Sequence, residues 1–297
     1  MNESISDRER NFELADLVLF KAVAEAGGVT RAAQRLHRVQ SNVTARVKRL
    51  ESHLGVPLFV RARRGMSLTP EGRRLLDYAD RLLSLADEAT ADLSARPPRG
   101  RLHIGAMEST AAVHLPRVLS RLHTQYPGLE VQLVTGTSGA LLEQVRVGEL
   151  SAAFVAALTV EAGLVGDPVF VERLVLVTPA SSSRRFDVAT LAGKTLIAFG
   201  PGCTYRSCIE QWLASKRVRP PRVFEVASYH AMLACVSAGV GYAVVPRSVL
   251  LASRAQGALR AHRLAERSWR ITTWLVRRQG DRSRAVEALR QLVVGEG

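Results

Sequence analysis

Cysteine is scarce: Cys203, Cys208 and Cys235 are the only three among 297 residues, odd in number and late in the chain. Such usage argues against a disulfide-stapled secreted scaffold and predicts reduced thiols. No apolar run reaches the roughly 18 residues that span a bilayer, and the opening MNESISDRERNFE lacks the basic and apolar regions of a secretory signal. The expectation is a cytoplasmic protein with no membrane contact. Catalytic signatures are missing as well. Gly193-Lys194-Thr195 imitates the end of a phosphate-binding P-loop, but Val188 stands where its first glycine is required. Gly239-Val240-Gly241 follows a helical pattern and precedes a strand, the reverse of the order at a dinucleotide site. There is no G-x-S-x-G elbow, no H-E-x-x-H and no His/Cys cluster at metal-ligand spacing. Neither catalysis nor a cofactor nor a resident metal is expected.

What is present is an ordinary globular composition, 47% hydrophobic and 23% charged, long enough for two or three folded units. The net charge of +14 points to a polyanionic partner. Its distribution qualifies that inference, because residues 1–96 carry 16 basic and 13 acidic side chains, which leaves +11 for the remainder. Local charge is more informative. Between Thr30 and Met66 stand Arg31, Arg35, Arg38, Arg46, Lys48, Arg49, Arg61, Arg63 and Arg64, opposed only by Glu51. Taken alone, such a run reads more simply as a solvated basic face.

Hydrophobic spacing predicts a first helix from Phe12 to Ala26, ended by Gly27-Gly28. Thr30 is the expected N-cap of a second helix, Arg31 to Leu36, and a third runs from Gln40 to Leu54, stopped by Gly55. Two helices joined by so short a turn, the second apolar at Val43, Val47 and Leu50, describe a helix-turn-helix. Val56 to Leu68 is the expected β wing, with Arg61 to Gly65 at its tip. Thr69-Pro70-Glu71 then opens a long helix, in which Leu75, Ala79, Leu82, Ala86, Ala89 and Leu93 repeat at coiled-coil spacing. That stripe predicts pairing with a second chain, the alternative being burial against its own domain. Pro97-Pro98-Arg99-Gly100 breaks the helix.

Beyond Gly100, strand and helix patterns alternate. Strands are expected at Leu102–Gly105, Glu130–Thr135 and Ala152–Ala156, with helices at Val113–Gln125 and Ala140–Val147. A second series has strands near Val169–Val177, Leu196–Phe199, Val223–Val226 and Tyr242–Val245, and helices near Tyr205–Ser215 and Tyr229–Ala238. A last strand, Trp269–Val276, and helix, Ser283–Val294, return to the first series. The fold class is α/β: a winged helix-turn-helix over 1–68, a linker and dimerisation helix over 69–96, and a two-lobed α/β domain over 100–297. Lobe I takes about 100–162 and 267–297, and lobe II about 163–266. A chain that leaves one lobe and returns creates a cleft suited to a small ligand.

The segment FKAVAEAGGVTRAAQRLHRVQSNVTARVKRLESHLGVPLFVRARRGMSLTPEGRRLLDYADRLL, Phe20 to Leu83, resembles the LysR-type transcriptional regulators. The likeness continues through RLHIGAMESTAAVHLPRVLSRLHTQYPGLEVQLVTG, GCTYR and SYHAMLACVSAGVGYAVVP. Departures occur at Val39 and Ser41, where the family has a small polar cap and often a proline, and at Ser151, which replaces a familiar acid. The resemblance implies an effector domain like that of periplasmic binding proteins. It also implies a homodimer or homotetramer on an imperfect inverted repeat of double-stranded DNA near a promoter, contact with RNA polymerase, and control by a small inducer bound between the lobes. By resemblance, Gln40, Ser41, Asn42, Thr44, Arg46 and Lys48 meet DNA; Gln40 and Asn42 suit adenine edges, and Arg46 either a guanine or a phosphate. Thr30, Arg31, Arg61, Arg63 and Arg64 complete the expected interface, the arginines as phosphate clamps.

For the inducer, Ser109, Thr110, Thr137, Ser138, Cys203, Thr204 and Ser228 stand at or near expected helix starts, where free N–H groups favour an anion. Each is equally a plain capping residue. The +11 charge favours an anionic inducer, whereas Glu108 points instead to an amine. A disulfide between Cys203 and Cys208 is not expected, since five helical residues advance about 7.5 Å and change face. A solute-transport module suits the two lobes but not the N-terminal reader.

Overall fold

The computed structural model describes residues 12–62, 65–93, 97–156, 162–183, 186–264 and 269–294. The chain divides into two compact units, Met1–Ser94 and Ala95–Gly297.

In the first unit, α1 (Leu14–Ala26) begins with a reciprocal cap between Glu13 and Asp16 and ends at Gly27 in the left-handed conformation, φ 63°. Next comes α2 (Val29–Arg35), whose N-cap is Gly28, so Thr30, expected as the cap, stands inside the first turn. With extended backbone at Gly28, the chain re-enters a helix directly after α1 and needs no side-chain cap. The third helix, α3 (Gln40–Leu54), is capped by Val39 without a side-chain bond and stops at Gly55, φ 69°. Its Val43, Val47 and Leu50 are buried with Leu17, Phe20 and Val23 of α1 and Ala32 and Ala33 of α2. Each large apolar side chain so buried contributes about 1.5–3 kcal/mol.

Strands β1 (Phe59–Ala62) and β2 (Gly65–Leu68) pair antiparallel, Phe59 opposite Leu68 and Ala62 opposite Gly65. Gly65 has φ 134°, and a Cβ there would lie 2.4 Å from Gly27 O. Glycine alone fits this approach, which lets Met66 N donate to Gly27 O at 3.0 Å and seats the wing on the end of α1. Thr69 Oγ1 accepts from Gly72 N at 2.9 Å and opens α4 (Pro70–Leu93), as the Thr-Pro-Glu sequence predicts. The expected apolar seam divides. Ala79 lies in the core of this unit, with Leu75, Leu76 and Leu83 packed against it, because the first turns of α4 lie on α1. Farther along, Leu82 is 40% and Leu85 61% exposed.

The second unit holds a mixed sheet. Strand β3 (Gly100–Ala106) leads to α5 (Glu108–Val113) and α6 (Leu115–Gln125), then β4 (Leu129–Thr135), α7 (Ser138–Arg146) and β5 (Ala152–Ala156). The sequence pattern gives one helix from Val113; the structure gives two, starting five residues earlier. Pro116 in the first turn of α6 has no N–H to continue α5, which accounts for the break. The long β6 (Leu164–Pro179) crosses between lobes. Then follow β7 (Thr195–Ala198), α8 (Thr204–Ser215), β8 (Val223–Glu225), α9 (Tyr229–Ser237), β9 (Gly241–Pro246), α10 (Arg247–Ala252), β10 (Leu259–His262), β11 (Arg270–Arg278) and α11 (Arg284–Val294). The strand order is β4-β3-β5-β11-β6-β9-β7-β8, with β10 beside β6. Along β6, Leu164 to Arg173 pair with β11, whereas Leu174 to Val177 pair with β9, so one strand serves both lobes.

Two main cores follow from that exchange. Leu102, Ile104, Leu115, Leu122, Phe154, Leu275 and Leu289 fill the first lobe. Leu176, Ile197, Ile209, Trp212, Leu233, Tyr242 and Trp269 fill the second.

Candidate DNA interface and ligand cleft

On the reader, the outer face of α3 leaves Gln40, Ser41, Asn42, Ala45 and Lys48 exposed, together with Thr30 and Arg31 of α2. Thr44 is half-buried and returns its hydroxyl to Gln40 O at 2.9 Å. Arg31 donates to Gly27 O at 3.0 Å, which satisfies the end of α1. Arg46 has a partner that the sequence does not reveal: its Nη1 donates to Asp16 Oδ1 at 3.0 Å and lies 3.5 Å from Glu13 Oε2. Arg49 donates to both Asp16 oxygens at 3.0 Å. Asp16 is only 2% exposed, so it forms an internal anchor between α1 and α3. Burial alone would raise its carboxyl, but the Glu13 N–H, the Arg49 hydrogen bond and the charges of Arg49 and Arg46 outweigh burial and hold it below the usual value. Arg61 lies on β1 opposite Met66; Arg63 and Arg64 lie outside the described residues.

In the second unit, a cleft of about 350 Å³ opens between the lobes. Of the expected ligand residues, Ser109, Thr137, Ser138, Cys203 and Thr204 line it. Thr110 does not: it is buried in the first turn of α5, its hydroxyl without a partner. Nor does Ser228, which caps α9 by accepting from His230 N at 3.1 Å, between the lining residues Ala227 and Tyr229. Thr137 caps α7 by accepting from Ala140 N at 3.4 Å. Cys203 caps α8 with no side-chain hydrogen bond of normal geometry; only its sulfur, a weak acceptor, stands before the Tyr205 and Arg206 N–H groups. Burial pushes the Cys203 thiol up, against hydrogen bonds from the Arg206 and Tyr205 backbone and the Arg206 charge, and it therefore stays protonated near neutral pH.

The lobes touch through polar groups. Thr204 Oγ1 donates to Ser138 Oγ at 3.4 Å, and Ser138 also accepts from Ala156 N at 3.1 Å. Glu108, the first residue of α5, accepts from Tyr229 N at 3.3 Å and so satisfies the start of α9 from the facing lobe. Its other oxygen is buried with no partner among the described residues. Burial raises the Glu108 carboxyl, partly offset by the Tyr229 N–H. Burial also raises the phenols of Tyr205 and Tyr229, which remain neutral donors. Both stand beside Ser109, whose hydroxyl nonetheless has no bond of normal geometry. Phe199 and Tyr229 pack edge to face, centroids 4.8 Å apart, as the apolar wall. Sequence reasoning missed Phe199, Tyr205 and Tyr229 as lining residues, although GCTYR and SYH place both tyrosines beside hydroxyls it did select.

The charge argument for an anion does not carry into this cleft. Among the described residues no arginine or lysine lines it, and Arg206, the nearest along the chain, is spent on Phe199 O, Glu210 and Glu225.

A helix-turn-helix reader on a two-lobed ligand domain defines a DNA-binding transcriptional regulator with an effector site. Residues 14–73 match the model of the bacterial regulatory helix-turn-helix protein, lysR family, and residues 95–297 match the LysR substrate binding domain. The chain belongs to the LysR family of transcriptional regulators, and its function is regulatory rather than catalytic. It is 39% identical over 255 residues to the HTH-type transcriptional regulator YusT of Bacillus subtilis, covering 86% of this chain and 85% of the relative. To GltR of the same organism it is 34% identical over 264 residues, 89% of each. Among solved structures, full-length CbnR complexed with its target DNA has a TM-score of 0.68 at 25% identity, covering 96% of this chain and all of that one. A full-length OxyR variant from Pseudomonas aeruginosa, at 24% identity and TM-score 0.69, covers 96% and 95% and supports the fold.

Proposed function

We propose that this regulator binds, as a cytoplasmic homodimer or homotetramer, an imperfect inverted repeat near a promoter, where it can contact RNA polymerase. Gln40, Ser41 and Asn42 read bases, while Lys48, Thr30, Arg31 and the wing arginines Arg61, Arg63 and Arg64 hold phosphates. Arg46 serves the interface chiefly by fixing α3 to Asp16. The exposed Leu82 and Leu85 of α4 support pairing of chains through that helix. No described helix is long and apolar enough to cross a membrane.

The inducer is a small molecule with an anionic end at the start of α8 and a hydrogen-bond-donating end at Glu108. One observation carries this reading: a helix start met only by a weakly accepting thiol and a buried carboxylate oxygen with no partner among the described residues face the same cleft. Thr204 and Ser138 receive the anionic end, and Cys203 fills space beside it. Calorimetric titration of candidate metabolites into Thr204→Val and Glu108→Gln proteins tests the two ends. Each variant should weaken the inducer by up to about tenfold, the worth of one hydrogen bond. If only amines bind, and Thr204→Val has no effect, the anionic end is wrong; if Glu108→Gln has no effect, the donor end is wrong.

A further inference from the structure

A second hollow, of about 510 Å³, lies in the effector domain and shares no lining residue with the cleft. Its walls come from the corner between α5 and α6 (His114), from β6 (Glu172 and Arg173), from α10 (Arg247 and Ser248) and from Arg263 after β10. These pieces meet where β6 exchanges β11 for β9 as its partner. At the base, Glu172 is 3% exposed. Its Oε1 accepts from Ser248 Oγ at 2.7 Å and bonds His114 Nε2. Around this carboxylate stand three arginines, Arg173, Arg247 and Arg263, all exposed, and none of their side chains is hydrogen-bonded to or ion-paired with another described residue. The contrast with Arg206, Arg277 and Arg290, which all have acidic partners, sets this trio apart.

We propose that this hollow is an anion site for a small dianion, distinct from the inducer cleft. Among the described lining residues, three guanidinium groups against one carboxylate leave an excess of two positive charges, which a dianion neutralises. Guanidinium forks match carboxylate and phosphate-type oxygens in pairs. Concavity selects against a DNA backbone, which a convex or grooved face meets better, and favours a compact ligand that several arginines reach at once. The bound anion would tie α10 and the residues after β10, on the second lobe, to the His114 corner of the first. This site does not depend on the proposed inducer chemistry.

The experiment is calorimetric titration of the full-length protein, free of DNA, with sulfate and separately with succinate, at fixed ionic strength. Sulfate stands for tetrahedral oxyanions and succinate for dicarboxylates, so the pair distinguishes the two sources of such charge. One saturable site per chain is expected for at least one of them, weakened about tenfold or more in an Arg247→Gln/Arg263→Gln protein. Both arginines are exposed, and an unchanged tryptophan-fluorescence unfolding midpoint verifies that the variant is folded. The proposal is overturned if neither anion gives saturable binding, or if the double variant binds as tightly as the native protein. It is equally overturned if Thr204→Val abolishes binding while the double variant does not, which places the anion in the cleft. Loss of DNA affinity in the double variant, without anion binding by the native protein, would assign these arginines to DNA phosphates instead.

Discussion

Replacing Asp16 by asparagine keeps the shape of the anchor between α1 and α3 and removes its charge. The carboxylate accepts one backbone N–H from Glu13 and hydrogen bonds from both Arg46 and Arg49. Charge-assisted bonds are worth about 1.5–3 kcal/mol each when buried. The two guanidinium groups are 28% and 54% exposed and rehydrate when released, so their share falls towards the roughly 0.2–1 kcal/mol of surface pairs. With loss of part of the helix cap, about 1 kcal/mol, the net cost is about 2 kcal/mol. For a unit of this size that lowers the melting midpoint by about 8–16 °C. The chain supplies its own discriminating probe: Trp212, Trp269 and Trp274 all lie outside the reader. Far-ultraviolet circular dichroism should therefore show an early helical transition in the variant, while tryptophan fluorescence unfolds as before. The Asp16 carboxyl titrates below its ordinary 3.8 in the folded state. Its stabilisation is thus fully present above that value and is lost as pH falls through the lower folded value, so the gap between native protein and variant should close in acid. Freed Arg46 and Arg49 remain available to phosphates, and discrimination between cognate and scrambled DNA should narrow more than affinity for scrambled DNA falls. Coincident transitions in both proteins, or a variant gap that persists in strong acid, would refute the anchor.

Two further outcomes follow from packing. Gly241→Ala places a Cβ about 2.0 Å from Thr195 O in the neighbouring strand, so the fluorescence midpoint should fall by the equivalent of about 1–3 kcal/mol; an unchanged midpoint would mean that β7 and β9 separate freely. Leu82→Asp should leave the reader's own core intact, since Ala79 and Leu75 supply the inward stripe, yet shift sedimentation towards the monomer; a variant that remains fully associated would remove α4 from the interface.

Most of the reader is legible because its signals are local. Gly27 and Gly55 stop helices through their left-handed backbone, and Thr69-Pro70-Glu71 starts one through a cap that forms within four residues. The start of α5 was illegible for the complementary reason. Glu-Ser-Thr-Ala-Ala-Val after Met107 has no capping side chain and contains residues of modest helix propensity, so tertiary burial decides the helix there. The short α10 and β10 have too few residues to show a period, and neither is expected from sequence. The hydroxyls of the cleft announce themselves as helix starts, but the tie from Glu108 to Tyr229 joins residues 121 positions apart. The partner of Arg46 is likewise 30 positions away. Periodicity and caps describe neighbours along the chain; they carry no information about which distant charge a side chain meets.

The same limit applies to net charge, and there it changes the functional argument. An excess of +11 in the effector domain invites the conclusion that the inducer is an anion held by arginine, yet among the described residues no arginine lines the cleft and Glu108 is the one charged side chain there. Any anion bound there must rely on backbone N–H groups and hydroxyls, which supply partial charges and direction rather than full positive charge. Recognition of that kind depends on the lobes standing at the right separation, because Ser138 and Thr204 come from different lobes and already bond each other. That bond and the Glu108 tie beside it are contacts that an inducer can exchange for its own. Exchange of that kind would favour one lobe arrangement over another, which is the condition for a ligand to shift a conformational equilibrium. Short α5 carries Glu108 at its start and His114 at its end, so a displacement of this helix by an inducer would be felt at Glu172 and the hinge strand β6.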